Sequence, residues 1–203
     1  MLIKWVTVRV VDRAAFRDGQ GVWAALRRRP GFVGQLGGWS RRDDGMAHIF
    51  GGWTDELSYQ AFMADAHDGL AAAQAGTYEA IEVRLLEHRL DIGTGLFSGT
   101  GHAQLIRLAD CHVPTHRQAH FLQAQAEVWN PGMMAVPGML GGVFAQGGET
   151  QFLVLSRWRS MADHVRYLNE HFIALREQAE ATEDLDRVTG DLVDLEPSWT
   201  VLS

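Results

Sequence analysis

The sequence predicts an α+β fold made of two tandem copies of one unit, each ordered strand–helix–strand–strand–helix–strand. Three observations carry this expectation. First, the halves align in order. Leu2-Ile3-Lys4 lies against Leu105-Ile106-Arg107, Val22-Trp23 against Val128-Trp129, and Pro30-Gly31-Phe32 against Pro137-Gly138-Met139. Ile49 to Trp53 lies against Val154 to Trp158, and Phe62-Met63 and Tyr167-Leu168 fall at the same distance after their tryptophans. Second, apolar residues recur at strand spacing and then at helix spacing in the same succession in each half. Third, the Gly-, Ser- and Thr-rich stretch 89–103 reads as a linker between a first unit at 1–88 and a second at 104–203.

In the first copy, residues 2–10 alternate and are rich in Val and Ile, so they read as a strand. Asp12 caps a helix carrying Phe16, Trp23 and Leu26 that stops before Pro30, and Gly19 and Gly21 weaken it by up to about 1 kcal/mol each. Residues 32–39 and 46–53 flank Arg41-Arg42-Asp43-Asp44-Gly45, and Asp-Gly between apolar runs signals a hairpin. A second helix follows Thr54 and buries Phe62, Met63, Ala66 and Leu70, and Tyr78 to Leu86 closes the unit as a strand. In the second copy the strand is 104–112 and the first helix is 115–129, with Ala119, Leu122, Ala126 and Trp129 on one stripe. The hairpin turns at Gly147-Gly148. Ser160-x-x-Asp163 resembles a capping box before a helix carrying Met161, Val165, Leu168, Phe172 and Leu175. The last strand falls within 188–202.

This order is the ferredoxin-like unit, an antiparallel sheet with two helices on one face. Trp5, Trp39 and Phe144 are expected on the other face, which needs an apolar partner. The second copy is the natural partner, so the two sheets are expected to pack face to face within one chain.

Composition narrows the function. Eighteen basic against 25 acidic residues leave a net charge of −7, which argues against a nucleic-acid surface. No apolar run is long enough for a membrane helix, and the alternating, charged N-terminus is not a signal peptide. One cysteine, Cys111, excludes an intrachain disulfide and fits a reducing compartment, so a cytoplasmic protein is expected.

The Leu2-Ile3-Lys4-Trp5 strand and the Gly31 to Trp39 stretch Gly-Phe-x-Gly-Gln-x-Gly-Gly-Trp resemble an uncharacterised bacterial family. That family lies within the antibiotic-biosynthesis-monooxygenase-like dimeric α/β-barrel superfamily. The first copy matches closely and the second loosely. The resemblance implies an intrachain barrel made from two units that are usually a homodimer, with a small-molecule pocket between helices and sheet. Further homodimerisation is compatible with it. It implies no single reaction, since the fold hosts cofactor-free oxygenases, haem-degrading enzymes and proteins without known activity.

Cofactor-free oxidation of an apolar or aromatic compound needs a general base, a donor for a developing oxyanion and a water-excluding box. In the first copy His67 is the candidate base and Arg9 the oxyanion donor, with Trp5, Trp39, Trp53 and Phe62 as the ligand-binding box. The same aromatics would serve equally as core. His112, Trp158 and His171 are the second-copy candidates. The haem-degrading relatives pair a Trp and a helix His with an Asn on the first strand. The Trp and His have counterparts in Trp53 and His67 or Trp158 and His171, but the first strands hold no Asn. No cofactor is therefore expected, with haem as the alternative. His116 and His120 share a helix face, yet no carboxylate completes a motif and no metal site is expected. The expectation is a small-molecule-binding protein, a monooxygenase in its catalytic form, with a ligand in the first copy. The alternative is a non-catalytic structural or stress-related barrel.

Overall fold

The computed structural model describes residues 1–98 and 102–203; the remaining residues of the expected linker, 99–101, lie outside the described residues. The chain divides into two units. One comprises residues 1–87 with 193–203, and the other residues 88–192.

The first unit follows the expected order. Strand β1 (Leu2–Val10) leads to α1 (Arg13–Gln20), where the Asp12 side chain accepts from the Ala15 amide at 3.0 Å. At Gly21 the helix tightens into a 3-10 segment, Gly21–Arg28, so the glycine-weakened stretch changes helix type rather than unwinding. Strands β2 (Phe32–Ser40) and β3 (Met46–Trp53) form the hairpin, and the Asp43 carboxylate accepts the Gly45 amide in its turn. Helix α2 (Glu56–Asp65) is capped by Asp55 rather than Thr54; it breaks at Ala66 and resumes as α3 (His67–Ala71). Strand β4 spans Tyr78–Ile92. Strand β1 pairs antiparallel with β3 on one side and β4 on the other, and β2 pairs with β3.

The second unit repeats the scheme. Strand β5 (Leu105–His112) precedes a composite helix: α4 (Gln118–Ala124), a π-helical turn at Gln125–Trp129, and α5 (Asn130–Met134). Strands β6 (Met139–Gly147) and β7 (Gln151–Trp158) form its hairpin, and Gly148 takes φ +64, a conformation open to glycine at little cost. Helix α6 (Met161–Tyr167) starts at the expected cap, with the Ser160 hydroxyl accepting the Asp163 amide. A second π-helical turn, Leu168–Phe172, joins it to α7 (Ile173–Gln178) and then α8 (Ala181–Asp184). Strand β5 lies between β7 and the following strand, β8 (Arg187–Leu195), and β6 pairs with β7.

Several expectations shift. The start of the predicted linker, residues 89–92, is strand, because β4 continues to Ile92. Residues 193–203 belong to the first unit: the end of β8 and strand β9 (Val201–Leu202) both pair with β2. Trp39 and Phe144 sit on the helix-covered face, Trp39 against Phe16 of α1 and Phe144 against Phe121 of α4. The second copy's helix stripes are rotated from the expected ones. Phe121, Ala124 and Gln125 are buried where Ala119 and Ala126 are exposed, and His164 and Tyr167 are buried where Val165 and Leu168 are exposed. Most of these residues precede the π turns, which begin at Gln125 and Leu168, so the stripe is set by which helix face meets the sheet, and that is not legible from a 3.6-residue period alone.

Candidate functional site

Each unit holds a cavity between helices and sheet. The second unit's is about 470 Å³ and the first unit's about 100 Å³. The difference begins on the floor. Under the alignment of the halves, Val6 and Val8 of β1 correspond to Ala109 and Cys111 of β5, which are smaller. It continues in the walls, where both helices over the second floor carry a π turn, and Gln125, Trp129 and Phe172 from those turns line the space. Such turns occur often at functional sites.

The first unit's cavity is largely filled by its own aromatics. Trp53 stacks on Phe62 with ring centroids 5.0 Å apart, and His67 lies 5.8 Å from Trp23 and 5.9 Å from Phe62. The Trp23 indole donates to Gln74 Oε1 at 3.0 Å. Lys4 lines this space with its ammonium over the Trp23 and Tyr59 rings, and burial lowers its pKa to about 8.

In the second unit the counterpart of Lys4 is Arg107, whose guanidinium lies 5.7 Å from the Phe172 centroid in the cavity wall. Among the described residues it forms no ion pair. Tyr167 lines the same cavity, fully buried, its hydroxyl without a hydrogen-bond partner among the described residues, and burial raises its pKa. Behind it His164 packs on Trp158 at 5.4 Å and on Tyr167 at 6.2 Å, and among the described residues neither ring nitrogen has a partner. Burial, with Arg107 nearby, lowers the His164 pKa to about 4. Burial pushes the Cys111 thiol up to about 12, so the floor sulfur stays protonated and unreactive. Arg176 and Arg187 stand at the margin, Arg176 bonded to Thr182 Oγ1 and Arg187 to His112 Nε2.

The residues picked from sequence divide. His67, Trp53 and Phe62 meet at the first cavity. Trp5 does not: its side chain is on the opposite face of β1, where its indole donates to His48 Nδ1 at 3.1 Å. Trp39 is core, against Trp199 at 5.1 Å with its indole bonded to Glu196. Arg9 is held bidentately by Asp43 at 2.7 and 2.6 Å at the hairpin turn, away from either cavity lining, and that bond holds the Asp43 carboxyl below its ordinary range. Trp158 is buried beneath His164 and Tyr167, bonded to Ser156. His171 points out beside Glu170, and the next residue, Phe172, takes the inward place. His112 reaches the cavity only through Arg187. His120 and Arg117 both bond Asp184, and no cluster with metal-binding geometry occurs among the described residues. Lys4 and Arg107 were missed as site residues, although Leu-Ile-basic opens both copies. The signal was there, since every second residue of a strand shares its face.

Residues 2–86 match a domain of unknown function, DUF4937. The uncharacterised protein YdbC of Bacillus subtilis (strain 168) is 33% identical over 93 residues, 43% of this chain and 78% of YdbC. Among solved structures, a candidate monooxygenase from Lactobacillus acidophilus NCFM superposes with a TM-score of 0.79 at 11% identity, covering 99% of this chain and 95% of that one. A candidate monooxygenase from Fusobacterium nucleatum superposes with a TM-score of 0.80 at 8% identity, covering 96% and 91%. The chain therefore belongs to the family of YdbC, with DUF4937 matched over residues 2–86, and shares the fold of these solved structures, with two ferredoxin-like units in one polypeptide.

Proposed function

We propose that the second unit's cavity binds a small, largely apolar or aromatic molecule with an anionic group, and that Arg107 holds the anion. The observation that carries this reading is an unpaired guanidinium lining an apolar cavity of about 470 Å³. That volume lies inside the ~300–1,000 Å³ range of ligand pockets. Asp186 also lines the cavity but forms no ion pair with Arg107 among the described residues, and a charge in largely apolar surroundings is costly unless a partner meets it, so an anionic ligand would supply that partner. This moves the ligand from the first copy, where sequence reasoning put it, to the second.

Oxidation of such a ligand is the reaction the surroundings suit. A phenolic compound bound as its phenolate, its proton already given up to solvent, supplies the electrons for dioxygen itself. The protein then needs dry walls and donors for the oxyanion, and Phe121, Met133 and Val154 with Arg107 and the Tyr167 hydroxyl offer both. Haem suits the residues poorly. Among the described residues no histidine lines the second cavity, and burial keeps its cysteine thiol and tyrosine phenol protonated. His67 does line the first cavity, but in a space of about 100 Å³ filled by aromatic rings.

The test is titration with the fluorescent apolar anion 8-anilinonaphthalene-1-sulfonate. Saturable binding is expected, weakened at least about tenfold in Arg107→Met, as suits loss of a charged hydrogen bond, and abolished in Val154→Trp. Unchanged affinity in both variants would place the dye elsewhere and remove the reading.

A further inference from the structure

The chain has one lysine against seventeen arginines. Folding puts that lysine on the floor of the first unit's cavity, a place the proposed ligand site does not use. Lys4 Nζ lies 5.6 Å from the Tyr59 ring centroid and 5.9 Å from that of Trp23. Among the described residues it forms no ion pair and no side-chain hydrogen bond. Among the described residues its electrostatic partners are the faces of the Trp23 and Tyr59 rings. The rim of the cavity includes Ile81 and Val83, which are 52% and 46% exposed, so the space reaches solvent along β4.

We propose that Lys4 is a reactive-amine site that condenses reversibly with a short-chain aldehyde or ketone. The ring faces favour the ammonium, but removal from water in the cavity, with no carboxylate partner among the described residues, outweighs them and raises the neutral, nucleophilic share of the amine. The Nζ lone pair attacks the carbonyl carbon, a C–N bond forms, and the carbonyl oxygen takes up a proton. The nitrogen then gives up its protons, the hydroxyl leaves as water, and a C=N bond results. One water is released and nothing is oxidised or reduced. His67 lines the same cavity against Trp23 and is available to carry those protons. The cavity of about 100 Å³ admits only a short chain. Arg107, at the matching position of the second copy, carries a delocalised guanidinium and no free amine, so it does not condense this way. The duplicated floor thus carries a covalent site in one unit and an ionic one in the other.

Sodium cyanoborohydride with propionaldehyde at pH 7.5 tests this, followed by peptide mapping that separates Lys4 from the Met1 amine. The expected result is a single propyl adduct on Lys4, formed at least about tenfold faster in the folded protein than in urea, since the unfolded lysine returns to a pKa near ~10.4. The bulky 1-naphthaldehyde should label Met1 and spare Lys4. Lys4→Arg should keep only the Met1 adduct. Labelling of Lys4 no faster in the folded than in the unfolded chain, or equal labelling by both aldehydes, would overturn the proposal.

Discussion

Lys4 and His164 are both bases whose pKa burial lowers, and both make stability depend on pH. Burial holds Lys4 at about 8 and His164 at about 4. In the unfolded chain they return to roughly 10.4 and 6.5. Between each pair of values the unfolded chain binds a proton that the folded chain does not, so each base taken alone makes stability rise with pH across its window. Each contribution is worth at most roughly 3 kcal/mol. Cys111 opposes Lys4: burial pushes its thiol up to about 12, so above roughly 8.5 the unfolded chain loses a proton that the folded chain keeps. Burial raises the pKa of Tyr59 and Tyr167, which acts in the same direction as Cys111 once free tyrosine begins to ionise. Urea midpoints should therefore increase from pH 4.5 to 6.5 and change little from pH 8 to 9.5. His164→Phe should flatten the first rise, Cys111→Ala should uncover a rise in the second window, and Lys4→Met should turn that window into a fall. A level profile from pH 4.5 to 6.5 in the wild type, or from pH 8 to 9.5 in Cys111→Ala, would show that the base concerned is not desolvated. At this scale the sequence was informative about residue type and poor about direction. Lys4 and Arg107 were visible as a repeated pair, but a strand residue's face follows from where the helices land. Arg9 shares β1 with Lys4 yet ends in the hairpin, bound to Asp43.

Caps and turns were the legible elements, because their signals are local: Asp12, Ser160 and the Asp43-Asp44-Gly45 turn all behave as their chemistry dictates. The two π turns were not legible. An inserted residue is stabilised by what it lets the neighbouring side chains reach, and no local motif specifies it. Their consequence is that Phe172, rather than His171, faces the cavity. Removing one exposed residue from the second turn, Asn169, should restore regular α-helix and rotate Phe172 and Arg176 off the cavity wall. Binding of the naphthalenesulfonate should fall at least about tenfold, in line with loss of well-packed contacts, while the far-ultraviolet circular dichroism keeps its helical signal. Retained affinity would mean that the turn is a packing defect with no bearing on the site.

The two units are not consecutive stretches of sequence. The repeat reads as 1–88 and 104–203, yet the last eleven residues return to the first unit, where Trp199 is wholly buried between Phe16 and Trp39 and bonds the Arg17 carbonyl. Alignment of the halves hides this, because a repeat reports common ancestry and not which core a terminal segment completes. Pro197 obscured the strand limits in the same place. Gly38 records the closeness of the join: a side chain there would run into the Asp194 carbonyl oxygen. If the returning segment is part of the first unit's core, Trp199→Ala should cost about 3–5 kcal/mol, the usual loss for a buried tryptophan. The loss should strike the first unit, read as faster hydrogen exchange in β1 and β2, with β5 and β7 slowed or unchanged relative to them. A chain ending at Leu192 should lose the same protection and more, since β9 and the Arg27 bond to the Leu202 carbonyl go as well. Uniform loss across β1, β2, β5 and β7 would instead make the molecule one cooperative body, in which a ligand bound at Arg107 stabilises the strand that carries Lys4.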